Sequence, residues 1–143
     1  ILQANPHLRG TLYDQAHVLQ GHVLGDLDSR VTFEAGNFFE RVPAADLLMM
    51  KSVLHDWDDD RCLVILGHCR QVMTPSSRLL IIDQVIGSPA DLMGTFYDLH
   101  MQVLLRGRER TEEEFRALLG KAGLKLQRII PTPSPMKIVE VSL

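Results

Sequence analysis

Short apolar runs alternate with stretches of helical periodicity along the chain, the pattern of an α/β fold with a mostly parallel sheet. Thr11-Leu12-Tyr13 predicts a short strand ending at Asp14, and a helical stretch follows over 15–24. Val31-Thr32-Phe33-Glu34-Ala35 predicts a second strand, closed by Gly36-Asn37. Asp46-Leu47-Leu48-Met49-Met50-Lys51 predicts a third, apolar enough to be covered on both faces.

The spacing next predicts a helix over 58–73. Its acidic start, Asp58-Asp59-Asp60, suits the positive end of the helix dipole. Cys62, Leu66, Cys69 and Met73 form its core stripe, and Pro75 ends it. Leu79-Leu80-Ile81-Ile82-Asp83-Gln84-Val85 reads as a buried strand, Gly87-Ser88-Pro89 as a turn, and 91–105 as a helix. Thr111-Glu112-Glu113-Glu114 is a capping box, in which hydroxyl and carboxylate satisfy each other's backbone amides. The helix it opens turns Phe115, Leu118, Leu119 and Ala122 to one face and stops at Gly123. Residues 125–130 and 137–141 alternate like a terminal antiparallel hairpin, joined by Pro131-Thr132-Pro133-Ser134-Pro135.

In such sheets ligands bind beyond the carboxyl ends of the strands. The polar residues predicted there are Asp14, Asn37, those from Lys51 to Trp57, and Asp83. Asp14 can accept hydrogen bonds from both hydroxyls of a ribose, and it fits equally as a loop acid or a helix N-cap. Gly36-Asn37-Phe38-Phe39 offers an amide for an adenine edge and an aromatic face, and reads equally as a turn with two core aromatics. In His55-Asp56-Trp57, an imidazole that titrates near neutrality is suited to removing a proton. The plainer reading is a loop histidine beside a packed tryptophan. Asp83 and Glu109 are carboxylates that could orient that imidazole and stabilise its protonated form. Glu109 lies in a charged run, where an exposed acid is the default. An acid in a strand as apolar as that of Asp83 requires a reason.

The composition excludes several classes. Charged residues make up 23% and apolar residues 45%, a balance that supports a core and is not that of a disordered chain. A formal net charge of -3 gives no basic surface for nucleic acid or anionic membrane. No run is long and apolar enough to span a bilayer. Cys62 and Cys69 lie about 10 Å apart along the predicted helix, too far for a disulfide, and both read as buried apolar residues. His7, His17, His22 and His68 read as surface or helix-face residues. No histidine pair has helical zinc spacing, and there is no nucleophile elbow, P-loop or glycine-rich phosphate turn. Ile1-Leu2-Gln3-Ala4-Asn5-Pro6 reads as a chain cut in the middle of an element.

The run Met50-Lys51-Ser52-Val53-Leu54-His55-Asp56-Trp57-Asp58-Asp59 with Cys62, and Gly107-Arg108-Glu109-Arg110-Thr111 with Glu114-Phe115, resemble the catalytic segments of one family. It is that of the S-adenosylmethionine-dependent O-methyltransferases, which includes the caffeic acid, hydroxyindole and bacterial polyketide enzymes. The likeness runs from Gly10-Thr11-Leu12-Tyr13-Asp14 to the terminal hairpin. It implies a Rossmann-like class I methyltransferase sheet, S-adenosylmethionine as cofactor, and a small hydroxylated aromatic or polyketide-like acceptor. By resemblance His55 is the base and Asp83 and Glu109 are its flanking acids. Asp14 holds the ribose, Asn37 and Phe38 the adenine, Lys51 the methionine part, and Trp57 lies by the adenine. Met101 helps hold the acceptor ring. His100, by its place on the helix predicted over the pocket and not by the resemblance, could touch substrate, and reads first as a packing residue. The family resemblance also implies a cytoplasmic enzyme that is a homodimer at full length.

This sequence departs from the family at two of these positions. Asn37 stands where the family usually has Asp, so its orientation matters more. Asp83 stands where Glu is commoner and is one methylene shorter. The expected domain organisation is that residues 1–143 are the C-terminal part of the methyltransferase domain. The first strand, its glycine-rich turn and the N-terminal dimerisation domain are expected to be missing, with Ile1 to Pro6 as the end of the helix after that turn. The strands near Asp14 and Asn37 would then separate from those near His55, and the chain alone would bind cofactor poorly. Three alternatives are a relative with altered or lost chemistry, a nicotinamide-dependent oxidoreductase sharing the strand-end acid, and a non-catalytic interaction module.

Overall fold

The computed structural model describes residues 1–24, 29–87 and 107–143. The predicted turn at Gly87-Ser88-Pro89 lies partly, and the predicted helix over 91–105 wholly, outside the described residues, as do His100 and Met101. The chain divides into two compact units, Ile1–Pro43 and Ala44–Leu143.

In the first unit β1 (Gly10–Asp14) pairs in parallel with β2 (Val31–Ala35), Asp14 opposite Ala35. The helix predicted over 15–24 is a single turn, α1 (Ala16–Leu19). It buries no residue, and Gly21 follows its C-cap Gln20. A short helix with nothing to pack against has no source of stability beyond propensity, and glycine removes about 1 kcal/mol of that. Residues 1–6, expected as a helix end, form turns instead. Nη1 of Arg30 gathers the carbonyls of Leu2, Asn5 and Leu8 at 2.9, 3.2 and 3.3 Å.

The second unit holds a mixed sheet in the order β3 (Leu47–Lys51), β4 (Arg78–Ile86), β7 (Met136–Ser142), β6 (Lys125–Pro131). β3 runs parallel to β4, whereas β7 is antiparallel to both β4 and β6, which forms the expected hairpin. A two-residue strand, β5 (Arg110–Thr111), not foreseen in the sequence, extends β4 in parallel. β3 was expected to be covered on both faces, yet Leu47 and Met49 are 45% and 42% exposed. The reason is its place as the end strand of this sheet, paired among the described residues with β4 alone.

α2 (Asp59–Val72) starts where expected, with Asp58 as N-cap accepting from the Arg61 amide at 2.9 Å. Its Cys62, Ile65, Leu66 and Cys69 are buried, as are Leu79 and Ile81 of β4 and Val139 and Val141 of β7. Both thiols are free, and burial pushes them up to about 11 and about 12, so they pack as small inert groups. α3 (Glu112–Lys121) has the full capping box: Glu114 N donates to Thr111 Oγ1 at 3.2 Å, and Thr111 N donates to Glu114 Oε2 at 2.8 Å. It contributes Phe115, Leu118 and Leu119 to the core, and Gly123 follows at φ +71°, the left-handed stop. Among the described residues no helix is long and apolar enough to cross a membrane.

Candidate active site

His55 sits in a 3-10 turn, Leu54–Asp56, between β3 and α2. Ser52, at the end of β3, bends the chain into that turn at φ +54°, a left-handed conformation that strains a residue with a side chain. Its amide donates to Ile82 O at 3.0 Å, which ties the bend to β4.

Glu109 reaches the turn from far along the chain. Its Oε1 lies 3.0 Å from Nδ1 of His55, and its side chain is only 3% exposed. The exposed-acid reading of Glu109 is therefore overturned: the residue before β5 lies under the 3-10 turn. Three features hold the two segments together. Arg108 N donates to His55 O at 2.9 Å. Gly107 comes so close that a Cβ there would stand 1.9 Å from the same carbonyl oxygen. Arg110, 1% exposed, donates to Leu54 O and Trp57 O, each at 3.0 Å, on either side of His55.

Asp83 occupies the inward-facing row of β4 with Leu79, Ile81 and Val85. It is 1% exposed, and neither carboxylate oxygen has a hydrogen-bond partner among the described residues. Burial pushes its carboxyl up to about 6; the charge of His55 pulls it down and that of Glu109 pushes it up. The nearby Ser52 amide, already given to Ile82 O, lowers it less. The shorter reach expected for Asp83 takes this form: it acts on His55 through charge and makes no hydrogen bond to it.

The imidazole is raised above its ordinary range chiefly by the Glu109 hydrogen bond, against the opposing effect of burial. The charges of Asp83, Glu109 and Asp56 add to the rise. Asp56 was not singled out from the sequence, although its Oδ1 lies 3.3 Å from Nε2. Glu109 is the nearer and the more buried of the two carboxylates, so it holds the proton on Nδ1 and leaves Nε2, which faces the half-exposed Asp56, as the basic nitrogen.

Of the remaining residues assigned by resemblance, Lys51 is exposed at the end of β3, and the Trp57 ring has the Arg61 guanidinium 5.2 Å from its centroid. In the first unit, Asp14 ends β1, and its Oδ1 accepts from Gln15 N at 2.7 Å. It is not the N-cap of α1, a position held by Gln15. Asn37 closes its own turn, its Oδ1 accepting from Phe39 N at 3.0 Å and its Nδ2 donating to Glu40 Oε1 at 3.2 Å. Phe38 packs edge-on to Phe39 at 4.9 Å. Gly36 makes room for the Tyr13 ring, whose hydroxyl oxygen would lie 2.2 Å from an added Cβ. Arg110 and Gly107 were quoted in a motif but given no role. A fully buried arginine cannot be told from an exposed one in so charged a run.

Residues 1–125 match the O-methyltransferase domain family, and the chain belongs to it. Phenazine O-methyltransferase PhzM of Lysobacter antibioticus is 41% identical, over 98% of this chain and 43% of its own length. The mitomycin biosynthesis 6-O-methyltransferase of Streptomyces lavendulae is 43% identical, over 99% of this chain and 42% of its own. The solved structure of CalO1, a methyltransferase in calicheamicin biosynthesis, in its SAH-bound form, superposes with a TM-score of 0.91 at 36% identity. That match covers 99% of this chain and 43% of CalO1. The fold is that of the class I methyltransferases, and the chain spans less than half the length of these relatives.

Proposed function

We propose that this chain is the catalytic part of an O-methyltransferase that transfers a methyl group from S-adenosylmethionine to a hydroxyl of a small aromatic or polyketide-like molecule. The observation that carries the reading is the 3.0 Å contact between His55 Nδ1 and Glu109 Oε1. A phenol holds its proton to about pH 10 and is a poor nucleophile until that proton leaves. With Nδ1–H given to Glu109, the lone pair on Nε2 takes the proton while the carboxylate stabilises the imidazolium that forms. Asp83 adds a second negative charge that favours the protonated ring.

The cofactor, when bound, supplies a methyl group on a cationic sulfur that is a good leaving group. The chemistry of the donor set fits such a nucleoside. Within the first unit, Asp14 presents a carboxylate at a strand end suited to ribose hydroxyls and Phe38 supplies an aromatic ring. Trp57, of the second unit, is assigned to the adenine by resemblance alone. Asn37 is the weakest member, since its oxygen already serves Phe39. Lys51 is assigned to the methionine part, and Met101 with His100 to the acceptor. Support also comes from the two relatives named as O-methyltransferases, of phenazine and of mitomycin biosynthesis. In this reading the complete protein is a cytoplasmic homodimer with no nucleic-acid or membrane partner.

The test is transfer of labelled methyl from S-adenosylmethionine to a panel of phenolic acceptors by the complete protein, wild type and His55→Ala. Labelled product from the wild type only supports the reading. Equal turnover by both points to the relative with altered chemistry.

A further inference from the structure

Arg110 is among the most buried side chains of the second unit and bears a permanent positive charge. Burying a guanidinium is unfavourable unless its donors are matched, and here each nitrogen has an acceptor. Nη1 donates to Leu54 O at 3.0 Å and Arg108 O at 3.4 Å. Nη2 donates to Trp57 O at 3.0 Å and Asp59 Oδ1 at 2.8 Å and meets Cys62 Sγ at 3.4 Å, while Nε meets Asp59 Oδ1 at 3.2 Å.

These acceptors belong to three segments: the 3-10 turn bearing His55, the first turn of α2, and the stretch bearing Glu109. The backbone of Arg110 is in turn fixed to the sheet, opposite Val85 of β4, two residues from Asp83. From this arrangement we propose that Arg110 is a positioning residue, whose planar fork sets the carbonyls of Leu54 and Trp57 and so holds the His55 ring against Glu109. The inference rests on the reading of His55 as the base. It adds a residue that acts on the ring through backbone carbonyls and sets the alignment of the base with its acid.

Lysine at this place keeps the charge but offers one nitrogen, which cannot span carbonyls on both sides of the turn. The experiment is therefore a pH titration of the His55 imidazole by NMR in the complete protein, for wild type, Arg110→Lys and Glu109→Gln. Among the described residues, the groups facing that ring are Glu109 and Asp83 from neighbouring segments and Asp56 from its own turn. Charge is conserved in R110K, so loss of alignment with Glu109 is what the titration reads. The expected result is a fall in the pH of half-protonation in both variants. Turnover of R110K should fall at least about tenfold, while its affinity for S-adenosylhomocysteine stays within about threefold.

A folded R110K with the wild-type titration curve and turnover overturns the proposal. Should R110K fail to fold, Asp59→Asn loosens the same fork while leaving its carbonyl bonds. It is expected to move the curve the same way by less, and an unchanged curve there also overturns the proposal. If the wild type transfers no methyl group but R110K still shifts the His55 titration, the positioning role stands and the methyltransferase reading fails.

Discussion

Nδ1 of His55 lies 3.0 Å from Oε1 of Glu109, a pair separated by 54 positions in the sequence. The contact does two opposed things. It aims Nε2 as the proton acceptor, and it stabilises the protonated ring, which cannot act as a base.

The sign of the pH dependence follows. His55 must be neutral to act, and its pKa is raised above 6.5, with the Glu109 hydrogen bond as the largest cause. Turnover of the complete protein should therefore rise with pH through a limb above 6.5. Glu109→Gln removes the charge, so the limb should move to lower pH while the plateau rate falls. A pH–rate profile of both proteins checks this, and a limb that stays in place in the variant contradicts it.

His55→Ala should lower turnover by about 10²- to 10⁴-fold, the usual contribution of a positioned base. Its calorimetric affinity for S-adenosylhomocysteine should stay close to that of the wild type, because the cofactor residues assigned here do not include His55. Loss of binding and turnover together would place the residue in the cofactor site instead.

Asp83→Asn should stabilise the protein at alkaline pH. Its folded-state pKa, raised to about 6 by burial, exceeds that of an unfolded aspartate, about 3.9. Below roughly pH 4 both states hold the proton and burial exerts no ionisation penalty. As pH rises toward 6 only the unfolded chain releases it, so stability falls, and above about pH 6 the deficit stays near 3 kcal/mol. Urea unfolding at pH 8 should show a gain of up to about 3 kcal/mol for the variant, and little change near pH 4. A variant less stable than wild type at pH 8 would show that the Asp83 charge is compensated in the native state.

Gly107→Ala should be destabilising and should weaken catalysis together. The added Cβ would stand 1.9 Å from His55 O and 2.7 Å from the Asp56 carbonyl carbon, backbone atoms that cannot rotate aside. Overpacking of this kind costs on the order of 1–3 kcal/mol, and relief requires the 107–110 segment to move off the turn. A lowered Tm with displaced His55 resonances is the expected outcome. A variant as stable as wild type would mean that the segment has another position available.

Much of the fold was legible along the chain because its signals are local. The capping box at Thr111 and Glu114, the glycine stop at Gly123 and the stripe of Cys62, Leu66 and Cys69 depend on neighbours within a turn or two. α1 was overestimated because a periodic segment forms a lasting helix only when something covers its face, and none of its residues is buried. The exposure of Leu47 and Met49 was misjudged for the same kind of reason, since an apolar run does not say whether its strand has one neighbour or two.

By itself the sequence determined the order of the described strands and helices other than β5, the family likeness and the identity of the imidazole proposed as base, all of which rest on residue types and short spacings. Only the tertiary structure decided what surrounds that imidazole. It buried Glu109 against the 3-10 turn, left both oxygens of Asp83 without hydrogen bonds among the described residues, and drew Arg110 from a charged run into the core. The physical reason is that burial and hydrogen bonding between segments more than 50 positions apart depend on how the sheet brings them together, and no local pattern of charge or hydropathy encodes that distance.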